Sequence, residues 1–132
     1  LNSILEIGKK NMAHVLVVDD SAAVRNEVSS FFTDNGITVL TAYDGKDGLE
    51  KLKGDPAVKL VFADVNMPVM DGLTMVEKIR SDLKNPVTII MLTTENDPNM
   101  KGRGKEAGVK GWIVKPFNGP SVLAHVKKIV GV

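Results

Sequence analysis

Val15-Leu16-Val17-Val18-Asp19-Asp20-Ser21 decides how this chain folds. The first four residues are apolar without alternation, and three are β-branched. That pattern suits a short strand covered on both faces. Ser21 can then cap a helix whose Val24, Val28, Phe31 and Phe32 recur at i, i+4, i+7 and i+8. Asn35-Gly36 ends it. The same strand-then-helix alternation continues outward. Strands are expected at Ile37 to Thr41, Leu60 to Ala63, Val87 to Leu92 and Gly111 to Val114. Asp44 can cap a helix carrying Leu49 and Leu52, ended by Gly54 and Pro56. Leu73, Val76, Ile79 and Leu83 mark a third helix, stopped at Asn85-Pro86. Asn118 can cap the last, with Pro120 in its first turn and Val122, Val126, Ile129 and Val130 on one face. Alternation of this kind predicts an α/β fold with a parallel sheet and right-handed crossovers. The fourth helix, within Pro98 to Gly108, is the weak one. Gly102 and Gly104 each cost roughly 1 kcal/mol against alanine, and few apolar residues anchor it. A mobile or short element is expected there.

Composition sets the bounds. The chain has 132 residues, of which 43% are hydrophobic and 25% charged. That is ordinary globular usage and enough for one core. A net charge of +1 sets up no strong field toward nucleic acid or an anionic membrane. There is no cysteine, which excludes a disulfide scaffold and thiol chemistry and suits a reducing, cytoplasmic setting. No apolar run approaches the roughly 20 residues that span a bilayer. Residues 1–11 read as a leader or expression remnant, ahead of one domain at 12–132. Without that leader, basic and acidic residues are equal in number.

The chemistry-bearing residues close the strands. Asp19 and Asp20 follow the first strand, Asp64 the third, Thr93 the fourth and Lys115 the fifth. In a parallel sheet these positions share the carboxyl edge, where open α/β folds build their sites. Phosphoryl transfer needs positioning and charge neutralisation more than covalent help. A carboxylate can accept the group as an aspartyl-phosphate, and Asp64 on the central strand is best placed. Two anions approach each other only with a cation between them. Asp19, Asp20 and Asp64, with the Asn66 backbone carbonyl, supply oxygen ligands suited to Mg2+ or Mn2+. Lys115 offers a point charge to a phosphoryl oxygen, and Thr93 a hydroxyl donor.

Four stretches together carry a family resemblance: Val17-Val18-Asp19-Asp20-Ser21, Asp64-Val65-Asn66-Met67-Pro68-Val69-Met70-Asp71-Gly72, Met91-Leu92-Thr93-Thr94 and Lys115-Pro116-Phe117. In spacing and order the chain resembles a bacterial response-regulator receiver domain, in particular the single-domain chemotaxis type, from about Met12 to Val132. The resemblance implies a flavodoxin-like doubly wound (βα)5 fold, a five-stranded parallel sheet of order 2-1-3-4-5 with helices on both faces. It implies the roles just given to Asp19, Asp20, Asp64, Asn66, Thr93 and Lys115, and a cis Lys115–Pro116 bond, an isomer sequence alone does not decide. It implies a phosphoaspartate switch of a two-component system that catalyses its own phosphorylation and dephosphorylation rather than serving as an ordinary enzyme.

The resemblance also implies a route for the signal. Thr93 moves toward the phosphoryl group and Trp112 turns inward. An indole is large, and its N–H wants a partner when buried, so a partly exposed Trp112 used for binding is the alternative. The output surface is the fourth helix, the fifth strand and the last helix, with Lys101, Arg103, Lys105, Trp112, Lys127 and Lys128. Asn66 and Glu95, two residues beyond Asp64 and Thr93, flank the path of the hydrolytic water and tune phosphate lifetime. The implied partners are a sensor histidine kinase or phosphotransfer protein and a downstream target protein. No direct nucleic-acid contact and no membrane insertion are expected. The expected state is a monomer, with phosphorylation-dependent dimerisation as the alternative.

Each residue also has an ordinary reading. Adjacent aspartates at a strand end commonly just begin a helix. Asp64 and Thr93 can merely open loops, and Lys115 before a proline can be a solvated lysine. Coincidence would have to place all of them on one edge. Other functions on this pattern are a flavin carrier, an aspartyl phosphohydrolase and an unphosphorylated interaction module. The first wants a glycine- and hydroxyl-rich phosphate loop after the first strand, where this chain has two aspartates. The second wants its nucleophile on the first strand and a substrate cap. The intact acidic set argues against the third.

Overall fold

Val15–Val18 forms β1, and all four residues are buried because both faces of the strand are covered. The computed structural model describes residues 13–132, so the leader expected at 1–11 lies outside it. The elements follow as α1 (Ala22–Asp34), β2 (Val39–Ala42), α2 (Gly45–Gly54), β3 (Leu60–Ala63), α3 (Gly72–Ser81), β4 (Thr88–Thr93), α4 (Pro98–Glu106), β5 (Gly111–Val114) and α5 (Gly119–Val130). The strands form one sheet of order β2-β1-β3-β4-β5, every pair parallel.

Alternate strand residues feed two separate cores. Leu16, Val18, Val61, Ala63, Ile89 and Met91 face α2 and α3, meeting Leu52, Met75 and Ile79. Val15, Val17, Leu60, Phe62, Ile90 and Leu92 face α1 and α5, meeting Val28, Phe32, Val126 and Val130. Phe32 stacks on Phe62 with ring centroids 5.5 Å apart. Truncating a side chain so buried to alanine costs about 3–5 kcal/mol. The register aligns the strand ends: Val18 pairs with Ala63, Ala63 with Met91, and Thr93 with Val114. The residues after those ends therefore share one edge. No helix among the described residues is long and apolar enough to cross a membrane.

Caps fall where the side chains predict. Ser21, Asp44 and Asn118 accept N–H bonds from Val24, Asp47 and Ser121. Two strands differ from the pattern reading. β2 begins at Val39, not Ile37, because Gly36 turns the chain at φ +80° and the Ile37 N–H donates back to Phe32 O. Ile37 is buried as part of the helix ending rather than as a strand residue. β4 runs one residue later than expected: the Val87 N–H bonds Asn85 Oδ1 and its carbonyl accepts from Arg80. The third helix stops at Ser81, short of Leu83. The weak fourth helix does form, capped by Asp97, and at 9 residues it is the shortest of the five helices among the described residues. Gly104 is the one residue it buries. The Lys115–Pro116 bond is cis.

Candidate functional site

Two strand ends bring two acids side by side. The Asp19 N–H bonds Ala42 O at 3.0 Å and the Asp64 N–H bonds Val18 O at 3.0 Å, so each continues the ladder one step past its strand. Both carboxylates are buried, at 1% and 7% exposure, whereas Asp20 beside them is exposed. Each buried carboxylate uses one oxygen locally. Asp19 Oδ1 accepts the Ser21 N–H at 2.9 Å, and Asp64 Oδ1 accepts the Val65 N–H at 2.7 Å. The other oxygens face Lys115, whose Nζ stands 2.9 Å from Asp19 Oδ2 and 3.1 Å from Asp64 Oδ2.

Charge at this edge does not balance: three carboxylates gather beside the Lys115 ammonium and the Arg25 guanidinium, which donates to Asp19 O. Burial pushes the Asp19 carboxyl above its usual range, and the Ser21 N–H and Lys115 only partly offset it. Burial pulls Lys115 the opposite way, but hydrogen bonds to Asp19 and Asp64 outweigh it and hold the ammonium above its usual value. The site therefore favours added positive charge. Asp19, Asp20 and Asp64 each offer an oxygen, all within 4.8 Å of one another. An all-oxygen, carboxylate-rich, partly exposed set fits a hard divalent cation that keeps some of its water, as Mg2+ does.

The hydroxyl and the loop residues join the same edge. Thr93 is fully buried at the end of β4. Its carbonyl accepts the Lys115 N–H at 2.9 Å, and its Oγ1 accepts the Glu95 N–H at 3.1 Å. Asn66 Nδ2 donates to Glu95 Oε2 at 3.1 Å, so the two residues expected to flank the water path touch each other. Trp112 is half-buried and packs against the core, and its Nε1–H donates to Glu95 O at 2.9 Å. The indole donor thus has a partner although the residue is only partly buried.

The expected output residues do not form one set. Lys101 and Lys105 on α4 are exposed and line a groove with Trp112, Val109 and Lys110. Arg103 is engaged elsewhere, in a two-point pair with Glu77 on α3 at 2.7 and 3.2 Å. Lys127 and Lys128 lie on α5, outside that groove lining.

Three contributors escaped the sequence reading. Arg25 donates to Asp19 O at 2.8 Å, one helical turn past Ser21, a spacing that was visible in the chain. Gly72 has no room for a side chain against the Asp64 carbonyl, and Gly104 gives its space to the indole. The loop motif marked Gly72. Nothing local marked Gly104, whose partner is eight residues on in another element.

The family model of the response regulator receiver domain matches residues 15–127. The chain is 39% identical over 118 residues to chemotaxis protein CheY of Treponema pallidum, covering 88% of this chain and 81% of that protein. It is 40% identical over 111 residues to a chemotaxis protein CheY homolog of Campylobacter jejuni, covering 83% and 85%. Among solved structures, Vibrio cholerae CheY4 matches with a TM-score of 0.80 at 41% identity, over 89% of this chain and 98% of that one. The CheX-CheY-BeF3-Mg+2 complex of Borrelia burgdorferi matches with a TM-score of 0.79 at 32% identity, over 87% of each chain.

Proposed function

Because this chain belongs to the response regulator receiver domain family and is a receiver of phosphoaspartate two-component signalling, we propose that Asp64 is its phosphoacceptor and that Asp19, Asp20, Asp64 and the Asn66 carbonyl hold Mg2+ or Mn2+. The observation that carries this reading is the convergence of Asp19 and Asp64 on Lys115 Nζ at 2.9 and 3.1 Å.

In the reaction, Asp64 Oδ2 attacks phosphorus, the bond from phosphorus to the donor breaks, and the donor leaves with that electron pair. Lys115 turns from its carboxylates to an incoming phosphoryl oxygen, and the Thr93 hydroxyl donates to another. The bound cation, when present, screens the acids from the incoming anion. Val65 N–H holds Asp64 Oδ1, while Oδ2, bonded to Lys115 at 3.1 Å, is freed to act as the nucleophilic oxygen once Lys115 turns to the phosphoryl group. Self-phosphorylation and self-dephosphorylation are both chemistry of this edge, and Asn66 and Glu95 tune the second.

The receiver domain spans 12–132, acts in the cytoplasm as a monomer, and takes its phosphoryl group from a sensor histidine kinase or phosphotransfer protein. Phosphorylation shifts a population rather than building a new shape. Thr93 and Trp112 form the switch, and the α4-β5-α5 surface, with Lys101, Lys105, Trp112 and Lys127, meets the target protein. Mg2+-dependent labelling by acetyl phosphate, lost in Asp64→Asn, tests the assignment. Equal labelling of that variant would overturn it.

A further inference from the structure

We propose that Trp112 is a positioning residue for hydrolysis of the phosphorylated protein, acting through the backbone of Glu95 on the Asn66–Glu95 pair. The inference rests on Asp64 being the acceptor. Glu95 lies in the loop between β4 and α4, with exposed Thr94 and Asn96 on either side. It is held at three points. Its N–H donates to Thr93 Oγ1 at 3.1 Å, its carbonyl accepts the Trp112 indole N–H at 2.9 Å, and its carboxylate accepts Asn66 Nδ2 at 3.1 Å. The first two bonds fix the backbone and the third aims a side chain at the residue two positions beyond Asp64.

The indole is itself fixed. A β-carbon at Gly104 would come within 3.2 Å of the Trp112 ring at Cζ3, so the ring fills the space that a side chain on α4 would take. That packing aims Nε1 at Glu95. A phenyl ring fills part of the same gap but donates nothing. Hydrolysis needs a water placed in line with phosphorus. The water oxygen bonds phosphorus, the bond to Asp64 breaks, and its electron pair returns to the carboxylate. The water's proton leaves to solvent. Asn66 and Glu95 orient that water only while the Glu95 backbone stays in place, and a loop residue without the indole bond keeps one anchor in place of two.

The test follows decay of protein labelled by radioactive acetyl phosphate in Mg2+, after removal of the donor. Trp112→Phe should lengthen the phosphoryl half-life about fivefold, the scale of one lost hydrogen bond. Asn66→Ala should also lengthen it. In the double variant, Trp112→Phe should add less than about twofold, because both changes disable one unit. Benzothienylalanine at position 112 keeps the fused rings and removes only the N–H, and it should slow decay as Trp112→Phe does. Wild-type decay in the benzothienylalanine protein, or a full Trp112→Phe effect in the Asn66→Ala background, would overturn the proposal. Failure of the wild-type protein to take label overturns the acceptor assignment along with it. Labelling at Asp64 with unchanged decay overturns only the role of Trp112.

Discussion

Gly72 runs directly beneath Asp64: a β-carbon on it would collide with the Asp64 carbonyl oxygen and press on the carbonyl carbon at 2.8 Å. The Gly72 N–H bonds Val65 O at 2.8 Å, and Asp71 caps α3 through the Thr74 N–H. The start of α3 is therefore clamped under the strand end that carries the acidic residue. Backbone cannot swing aside as a flexible side chain can, so relief must come from moving Asp64 itself.

Gly72→Ala is expected to cost about 1–3 kcal/mol, the range for overpacking, and to lower acetyl-phosphate labelling further than that loss explains. Gly102→Ala is the contrast. Nothing lies within 4 Å of a β-carbon there, so alanine should stabilise α4 by up to about 1 kcal/mol. Urea unfolding of the two variants checks both signs.

The contrast between those glycines shows what the sequence carried. β1, β3 and β5 were legible to the residue because short unbroken apolar runs stand between turn residues. Ile37 and Val87 misled because burial alone does not distinguish a ladder residue from one tied to a neighbouring turn. Asp19, Asp64, Thr93 and Lys115 could be placed on one edge from the alternation of elements, since a parallel sheet aligns all its carboxyl ends. Contacts between distant elements were not legible. The Arg103 pair with Glu77 and the fit of Trp112 against Gly104 depend on how helices sit over the sheet. No local period encodes that.

Mg2+ should stabilise the fold, by about 2.7 kcal/mol at a hundred times its dissociation constant. Asp19→Asn and Asp64→Asn should lose that gain. pH gives a second handle. The folded Asp19 value lies above its ordinary 3.8 because burial disfavours the charge. The contribution of Asp19 to stability is thus fully present below 3.8 and is lost as pH rises through the raised folded value. Without Mg2+, the wild type should lose stability relative to Asp19→Asn across that interval, with the two proteins closest at the acid end. Thermal melts of both proteins from acid to neutral pH would show parallel curves if burial of Asp19 carried no cost.

Arg80 makes a different kind of prediction. Its guanidinium donates to the carbonyls of Ala107 at 2.8 Å, Asn85 at 2.8 Å and Val87 at 2.7 Å. One side chain thereby ties the end of α4 to the entry of β4. Arg80→Met removes the donors and leaves those carbonyls short of partners, so a loss of about 2–3 kcal/mol is expected. Hydrogen exchange should report where: the amides of α4 should exchange faster in the variant, while those of α1 slow or speed only with global stability. Uniform acceleration of every helix would show that Arg80 supports the whole fold and not α4 in particular.

Trp112 is the sole tryptophan and reports on the site from outside it. Thr93 Oγ1 holds the Glu95 N–H, and the Glu95 carbonyl holds the indole N–H. Drawing the Thr93 hydroxyl toward a phosphoryl group bends its bond to the Glu95 N–H without breaking it, since the hydroxyl can donate to phosphate and still accept the N–H, and the Glu95 carbonyl shifts slightly with it. The indole keeps its bond to the Glu95 carbonyl in an altered geometry, at a half-buried position where emission is sensitive to the surroundings. Beryllofluoride with Mg2+ should therefore change the intensity or wavelength of Trp112 emission, and Thr93→Ala should remove most of the change while still binding the mimic. An identical response in Thr93→Ala would mean that the signal reaches Trp112 by a path other than Glu95.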